Sequence, residues 1–171
     1  MESDRNRFHA EIAAQHSADA RTDALRVAIE APPCRKGELW LPSLAPSNEV
    51  RRHFSCEAFQ WYEFCRRYRR ELAQRERMCE HLRWLACKRP LCLVYAQGDE
   101  QHNVAIAMKQ HLEELECRHR YQAGWIIGGH TWPLRKEIVS NGGLWFARHK
   151  AWTMPDEASW RTILSLLPGD F

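Results

Sequence analysis

Tyr95, Asp99, His102 and Asn103 stand close together where an apolar run, Leu91-Cys92-Leu93-Val94-Tyr95-Ala96, gives way to a polar turn. An unbroken apolar run of this length predicts a strand covered on both faces, as in a parallel sheet. Gln97 to Glu100 turns the chain, and a helix is predicted from there to about Glu116, with Val104, Met108, Leu112 and Leu115 inward. Open α/β sheets bind ligands at the carboxyl ends of their strands. Unpaired N–H groups and the helix dipole favour an anion at such a place. His102 has the chemistry of a general acid or base, and Tyr95 would add a hydroxyl. One reading is therefore an enzyme acting on a small anionic substrate, with Tyr95, Asp99, His102 and Asn103 as its catalytic group. The competing reading makes Asp99 a helix cap, with His102 and Asn103 completing the turn. The sequence names no nucleophile or metal to complete a reaction, so the chain is not assigned to the enzymes or excluded from them.

A second group of residues suits binding. Gly142-Gly143-Leu144-Trp145-Phe146-Ala147-Arg148-His149-Lys150-Ala151-Trp152 places two tryptophans on either side of a basic turn. Arg148 and Lys150 could hold phosphates while Trp145 or Trp152 stacks on a base, at about 1–3 kcal/mol per base. Arg66, Arg67, Arg69 and Arg70 form a second basic set, within residues 51–89, which hold eleven Lys/Arg against five Asp/Glu. A basic stripe of this kind attracts polyanions. Two plainer readings compete: the tryptophans form the core of a small module, and the arginines form the solvated side of a helix. The leading functional expectation is a non-catalytic accessory protein that binds nucleic acid, with single-stranded DNA suited to the stacking.

Other chemistry is thinly represented. The motifs GxGxxG, GxxxxGK[ST], HExxH and GxSxG are absent, so the common nucleotide, zinc-protease and serine-hydrolase sites are not expected. Seven cysteines, an odd number with no CxxC pair, suit a reduced cytoplasm better than a disulfide framework. The nine histidines show no ligand rhythm, and neither a metal nor a cofactor is expected. Cys34 and Cys92 are conceivable nucleophiles, with Cys92 better explained as core. A charged N-terminus and the lack of a long apolar run lead to the expectation of a cytoplasmic protein with no membrane partner.

The elements that must position these residues follow from periodicity. Residues 4–19 read as a helix with Phe8 and Ile12 one turn apart, a narrow stripe that could dock on a protein partner in an adaptor or inhibitor. Leu25 to Ala31 alternates like a strand, and Leu39 to Ser47 reads as a proline-punctuated connector before a short helix capped by Ser47. Trp61, Phe64, Tyr68, Leu72, Cys79, Leu82 and Leu85 recur at steps of three and four, with one of seven, which predicts a long helix or two helices joined near Gln74 to Glu76. The C-terminal part reads as strand, helix, hairpin and helix, with Asp156 capping the last. The fold expected is α/β: a small open sheet with flanking helices and a C-terminal β-α-β-β-α appendage. The expected divisions are an N-terminal helix at 1–22, an α/β domain at 23–118, and a small Trp-rich module at 119–171.

Leu44-Ala45-Pro46-Ser47, Phe54, Trp61, Phe64-Cys65-Arg66-Arg67-Tyr68, Glu71-Leu72, Leu93-Val94-Tyr95-Ala96 and Asp99 to Asn103 follow one another in an order and spacing that resemble the YeaO-like family of bacterial proteins of unknown function, over residues 40–115. The resemblance implies a compact α/β fold and no established reaction. An early Asp-Arg-Leu-Trp-Pro-Arg-Gly stretch usual in that family is replaced here by Pro32-Pro33-Cys34-Arg35-Lys36-Gly37-Glu38-Leu39-Trp40, so a site built on that stretch would be incomplete. Thr131-Trp132-Pro133, Gly142-Gly143-Leu144-Trp145 and Lys150-Ala151-Trp152 are similar to a short motif of phage and DNA-processing proteins. They are similar also to the small domain that annealing helicases use on forked DNA, and these likenesses imply forked DNA as a further ligand and a phage or mobile-element setting.

Overall fold

The computed structural model describes residues 7–15, 23–52, 54 and 57–167. The chain divides into two compact units, His9–Leu112 and Met1–Phe8 with Glu113–Phe171.

The first unit is built on a parallel sheet. Its strands are β1 (Ala10–Ala14), β2 (Leu25–Ala28), β3 (Leu39–Trp40) and β4 (Leu91–Tyr95), in the order β1-β4-β2-β3. β4 lies inside the sheet, with Leu93 opposite Ile12 on one side and Val27 on the other. Flanked on both sides, and with Leu91 to Val94 buried, it has no wet face, which is why it reads as continuously apolar. Between β3 and β4 come α1 (Asn48–Arg51), α2 (Ala58–Ala73) and α3 (Glu76–Lys88). Ser47 caps α1 by accepting a hydrogen bond from Val50 N, as its side chain allows. α2 and α3 are the two expected helices. Phe64, Tyr68 and Leu72 on α2 and Cys79, Leu82 and Ala86 on α3 are almost wholly buried. α4 (Val104–Ala123) follows β4.

Two expectations are corrected. The stretch read as a helix over 4–19 contains a strand, Ala10–Ala14, paired with β4 along its length. Residues 1–6 and 16–22 lie outside the described residues. Ala-Glu-Ile-Ala-Ala favours a helix by local propensity, but ladder pairing to the most apolar strand overrides it. Phe8 is buried and Ile12 sits in the ladder, so the helical stripe expected to anchor a protein partner does not form. The connector over Leu39 to Ser47 also begins as an edge strand, Val27 pairing with Leu39 and Ala28 with Trp40.

In the second unit, β5 (Ile126–Ile127), β6 (Leu144–Phe146) and β7 (Ala151–Thr153) make an antiparallel sheet in the order β5-β7-β6. α5 (Arg135–Ser140) precedes the hairpin, and α6 (Glu157–Leu164) follows it under the Asp156 cap, which accepts from Ser159 N. Ile127, Ile138, Trp152, Met154 and Ile163 form the core on one sheet face. The C-terminal half of α4 meets the hairpin through Arg120, whose Nε donates to Glu116 Oε1 at 2.7 Å and whose Nη1 donates to the carbonyls of Gly142 at 2.7 Å and Thr153 at 3.4 Å. The architecture is thus mixed α/β, and among the described residues no helix is long and apolar enough to cross a membrane.

Candidate functional site

The strand-end group is occupied with building its own turn. Asp99 Oδ1 accepts from the backbone N–H groups of Gln101 and His102, both at 2.7 Å. The His102 ring lies against the same carboxylate, with Nδ1 at 3.2 Å from each oxygen. Asn103 is fully buried; its amide donates to Asp99 O, and its oxygen accepts from Ile106 N at 2.9 Å. Asn103, not Asp99, is therefore the residue that caps α4. Gly98 pairs with Asn103 at φ +101°, and a Cβ there would come within 2.1 Å of His102 O. Only glycine fits that position. The ring of His102 stands edge-on to Trp61, 5.3 Å between centroids. Tyr95 is half-buried at the end of β4.

The residues that carry the family resemblance form one framework around α2. Tyr68 Oη donates to Leu44 O at 2.6 Å, and Glu71 accepts from Ser47 N at 2.9 Å. Phe54 meets Trp61 and Phe64 edge-on, Trp61 stacks on Phe64, and Phe64 lies tilted against Tyr68. These contacts fasten the connector to α2, which explains the spacing of those residues by packing alone.

The four arginines of α2 have different surroundings. Arg66 and Arg67 share Glu63, at 2.8 and 2.7 Å. Their hydrogen bonds, Arg66 first, lower the Glu63 carboxyl to about 2. Arg69 donates to Gln110, and Arg70 is exposed. Arg66, Arg69 and Arg70 line one groove of about 350 Å³ with Trp61, Tyr62 and Gln110. Tyr62 is 67% exposed. Two cations and a wet phenol ring therefore remain available beside the Glu63-paired Arg66.

In the second unit the five tryptophans divide by position in the sheet. β7 is the central strand, so Trp152 is covered from the β5 side and only 9% exposed. Its indole N–H donates to Thr131 Oγ1 at 3.2 Å. Trp125 and Trp160 pack on the same core, and Trp160 Nε1 donates to Ile126 O. Trp145 pairs with Trp152 in register but sits on the edge strand, where it remains 48% exposed. Trp132, in the turn before α5, is 73% exposed. Gly129, His130, Thr131, Trp132, Arg135, Trp145 and Trp152 line a cavity of about 460 Å³, none of them acidic. The Arg135 guanidinium lies 5.6 Å from the centre of the Trp132 ring. At the hairpin turn, Arg148 and Lys150 are exposed, and Lys150 takes the left-handed conformation at φ +48°. His149 stacks on Tyr121 at 4.1 Å.

Trp145 and Trp152 are legible in the sequence as stacking candidates, whereas Trp132, there only part of a motif, and Arg135 are not. A tryptophan following Gly128-Gly129-His130-Thr131, in a turn too short to bury it, was the available signal. Burial raises the Cys65 and Cys79 thiols to about 11 and moves Cys92 and Cys117 up as well. Cys34 is exposed. In the stretch that departs from the family pattern, Glu38 pairs with Arg26 at 2.7 Å. Burial alone would raise its carboxyl, but the bonds from Arg26, Arg35 N and Cys34 N bring it below the ordinary value. Among the described residues no group of three or more His, Cys, Asp or Glu is arranged to hold a metal ion.

Comparison with known proteins agrees with this framework. The chain is 33% identical over 76 residues to the uncharacterized protein YeaO of Escherichia coli (strain K12), a stretch that covers 44% of this chain and 66% of that one. No solved structure matches. The family described as the inactive DUF488-N3 subclade matches residues 33–124, more than half of the sequence. This chain belongs to the inactive DUF488-N3 subclade.

Proposed function

We propose that the protein binds nucleic acid, single-stranded or forked DNA, as a non-catalytic accessory factor. The observation that carries this reading is the tryptophan-lined cavity of the second unit, with Trp132 and Trp145 open to solvent and Arg135 at its wall. Open indole faces stack on bases of any identity, and a guanidinium beside them suits the adjoining phosphate. The cation also argues against a quaternary-ammonium ligand, which aromatic cages otherwise take, because Arg135 lies against Trp132 and would repel it. The cavity's size falls within the usual range for ligand sites, about 300–1,000 Å³. Further support comes from Arg148 and Lys150 at the hairpin turn. In the first unit, Arg69 and Arg70 add to it beside the exposed Tyr62. Arg66 and Arg67 contribute less, since Glu63 offsets much of their charge, and Trp152 serves as the cavity floor more than as a stacking face. The description of the family as inactive is in keeping with binding without catalysis.

The strand-end group favours no second reading. Asp99 and Asn103 are used in hydrogen bonds that form the turn and cap α4.

An electrophoretic shift series with single-stranded, forked and duplex DNA, at two salt concentrations, tests the proposal. Retardation at low salt that weakens at high salt is expected. No retardation of any of the three at low salt would remove it.

A further inference from the structure

Beside the tryptophan cavity lies a second groove, of about 840 Å³, lined by Arg7, Trp132, Pro133, Arg135, Lys136, Val139 and Ser140. Trp132 and Arg135 line both spaces, so the two adjoin at one indole. Their chemistry differs. The cavity is walled by three tryptophans, whereas the groove carries three cations, Arg7, Arg135 and Lys136, and no carboxylate among the described residues. Arg135 and Lys136 are exposed. Arg7 is held in place: its Nη2 donates to Val139 O at 3.2 Å, and its stem lies beside Gly142 and Pro155. An aromatic chamber beside a cationic channel matches the two halves of a nucleotide, a flat base and an anionic backbone.

We propose that Arg7, Arg135 and Lys136 form a phosphate track adjoining the tryptophan cavity. A single strand then lodges one unstacked base beside Trp145 and runs its neighbouring phosphodiesters along the track. This rests on the nucleic-acid reading above and adds to it a direction and a footprint. The strand leaves the cavity past Trp132, and the second unit contacts few nucleotides. A paired duplex is excluded from the cavity, because a stacked base cannot present its face to an indole. None of Arg7, Arg135 and Lys136 belongs to the basic sets that sequence periodicity singles out, since Arg7 stands far in the chain from the Arg135-Lys136 pair.

The test uses the full chain and a short fluorescein-labelled oligothymidylate, with the dissociation constant measured by anisotropy over a range of salt concentrations. Each phosphate contact to a single strand contributes about 0.7 to the slope of log affinity against log salt. The double variant Arg7→Gln/Lys136→Gln should therefore lower the slope by about 1.4. Arg7→Lys/Lys136→Arg keeps both charges and should restore it, which separates lost charge from the lost Val139 hydrogen bond. Trp145→Ala should weaken binding at every salt concentration and leave the slope in place. A wild-type slope in the Gln double variant, with the oligonucleotide still bound, overturns the track and leaves the nucleic-acid reading standing. If the wild-type protein binds no oligonucleotide at low salt, both fall together.

Discussion

Replacing Arg120 by methionine should destabilise the second unit by about 3–5 kcal/mol, the cost of breaking a buried ion pair by removing one partner. Arg120 and Glu116 are 2% and 7% exposed, and one turn of α4 separates them. Arg120 also closes the hairpin from below by donating to the Gly142 and Thr153 carbonyls. Methionine fills similar space with an apolar chain, so the change removes the charge and three hydrogen bonds while opening little cavity. Two carbonyls and one carboxylate lose a charged donor in a place with little access to water. Tryptophan fluorescence reports on the change, because five of the eight tryptophans lie in this unit. With a urea dependence of about 2 kcal/mol/M, the midpoint of that transition should fall by about 1.5–2.5 M. Adding Glu116→Leu to the methionine variant should recover part of the loss, since the carboxylate that lost Arg120 is then gone. A midpoint lowered by less than about 0.5 M, or no recovery in the double variant, would refute the view that Arg120 fixes the hairpin by charge.

Two further outcomes follow from local geometry. Glu63 is held at about 2 by Arg66 and Arg67, so its folded value lies below its unfolded one, and it stabilises the fold above about pH 4.5, an effect lost as pH falls toward 2. Glu63→Gln should therefore lower the melting temperature at pH 7, with the difference narrowing on acidification, and should release two arginines and so tighten binding to a polyanion; equal shifts at all pH values would contradict it. Gly98→Ala should cost about 1–3 kcal/mol in urea unfolding, from the positive φ and the clash with His102 O; a neutral result would mean the turn adapts.

How much of this was legible beforehand depended on whether neighbouring residues decide a feature. Apolar spacing placed α2, α3 and α4, and Ser47 and Asp156 are the caps their side chains suggest. The run from Leu91 to Tyr95 declared its interior place in the sheet through composition. β1 was hidden because nothing in Ala-Glu-Ile-Ala-Ala announces a partner some eighty residues later. In the hairpin, alternation put Trp145 and Phe146 on opposite faces, but Trp145 shares the face of buried Trp152 and is exposed because β6 is an edge strand. That Trp152 would be covered could not be read from its own strand, since it depends on β5 pairing on its far side. The cavity wall escaped for the same reason: Trp132 and Arg135 come from the turn before α5, and only the folded sheet brings Trp145 beside them. The arginine stripe was plain in the sequence, but its partial neutralisation depends on Glu63 lying within one turn of two arginines at once.

The central claim is that an open indole at the sheet edge receives a base, and one titration tests it most directly. Binding of a labelled oligothymidylate at low salt should weaken about 5- to 150-fold in Trp145→Ala, the equivalent of about 1–3 kcal/mol for one stacked base. Trp145→Phe should recover most of the loss, and both variants should melt close to the wild type because the side chain is half exposed. Unchanged affinity in a folded Trp145→Ala protein would contradict the account.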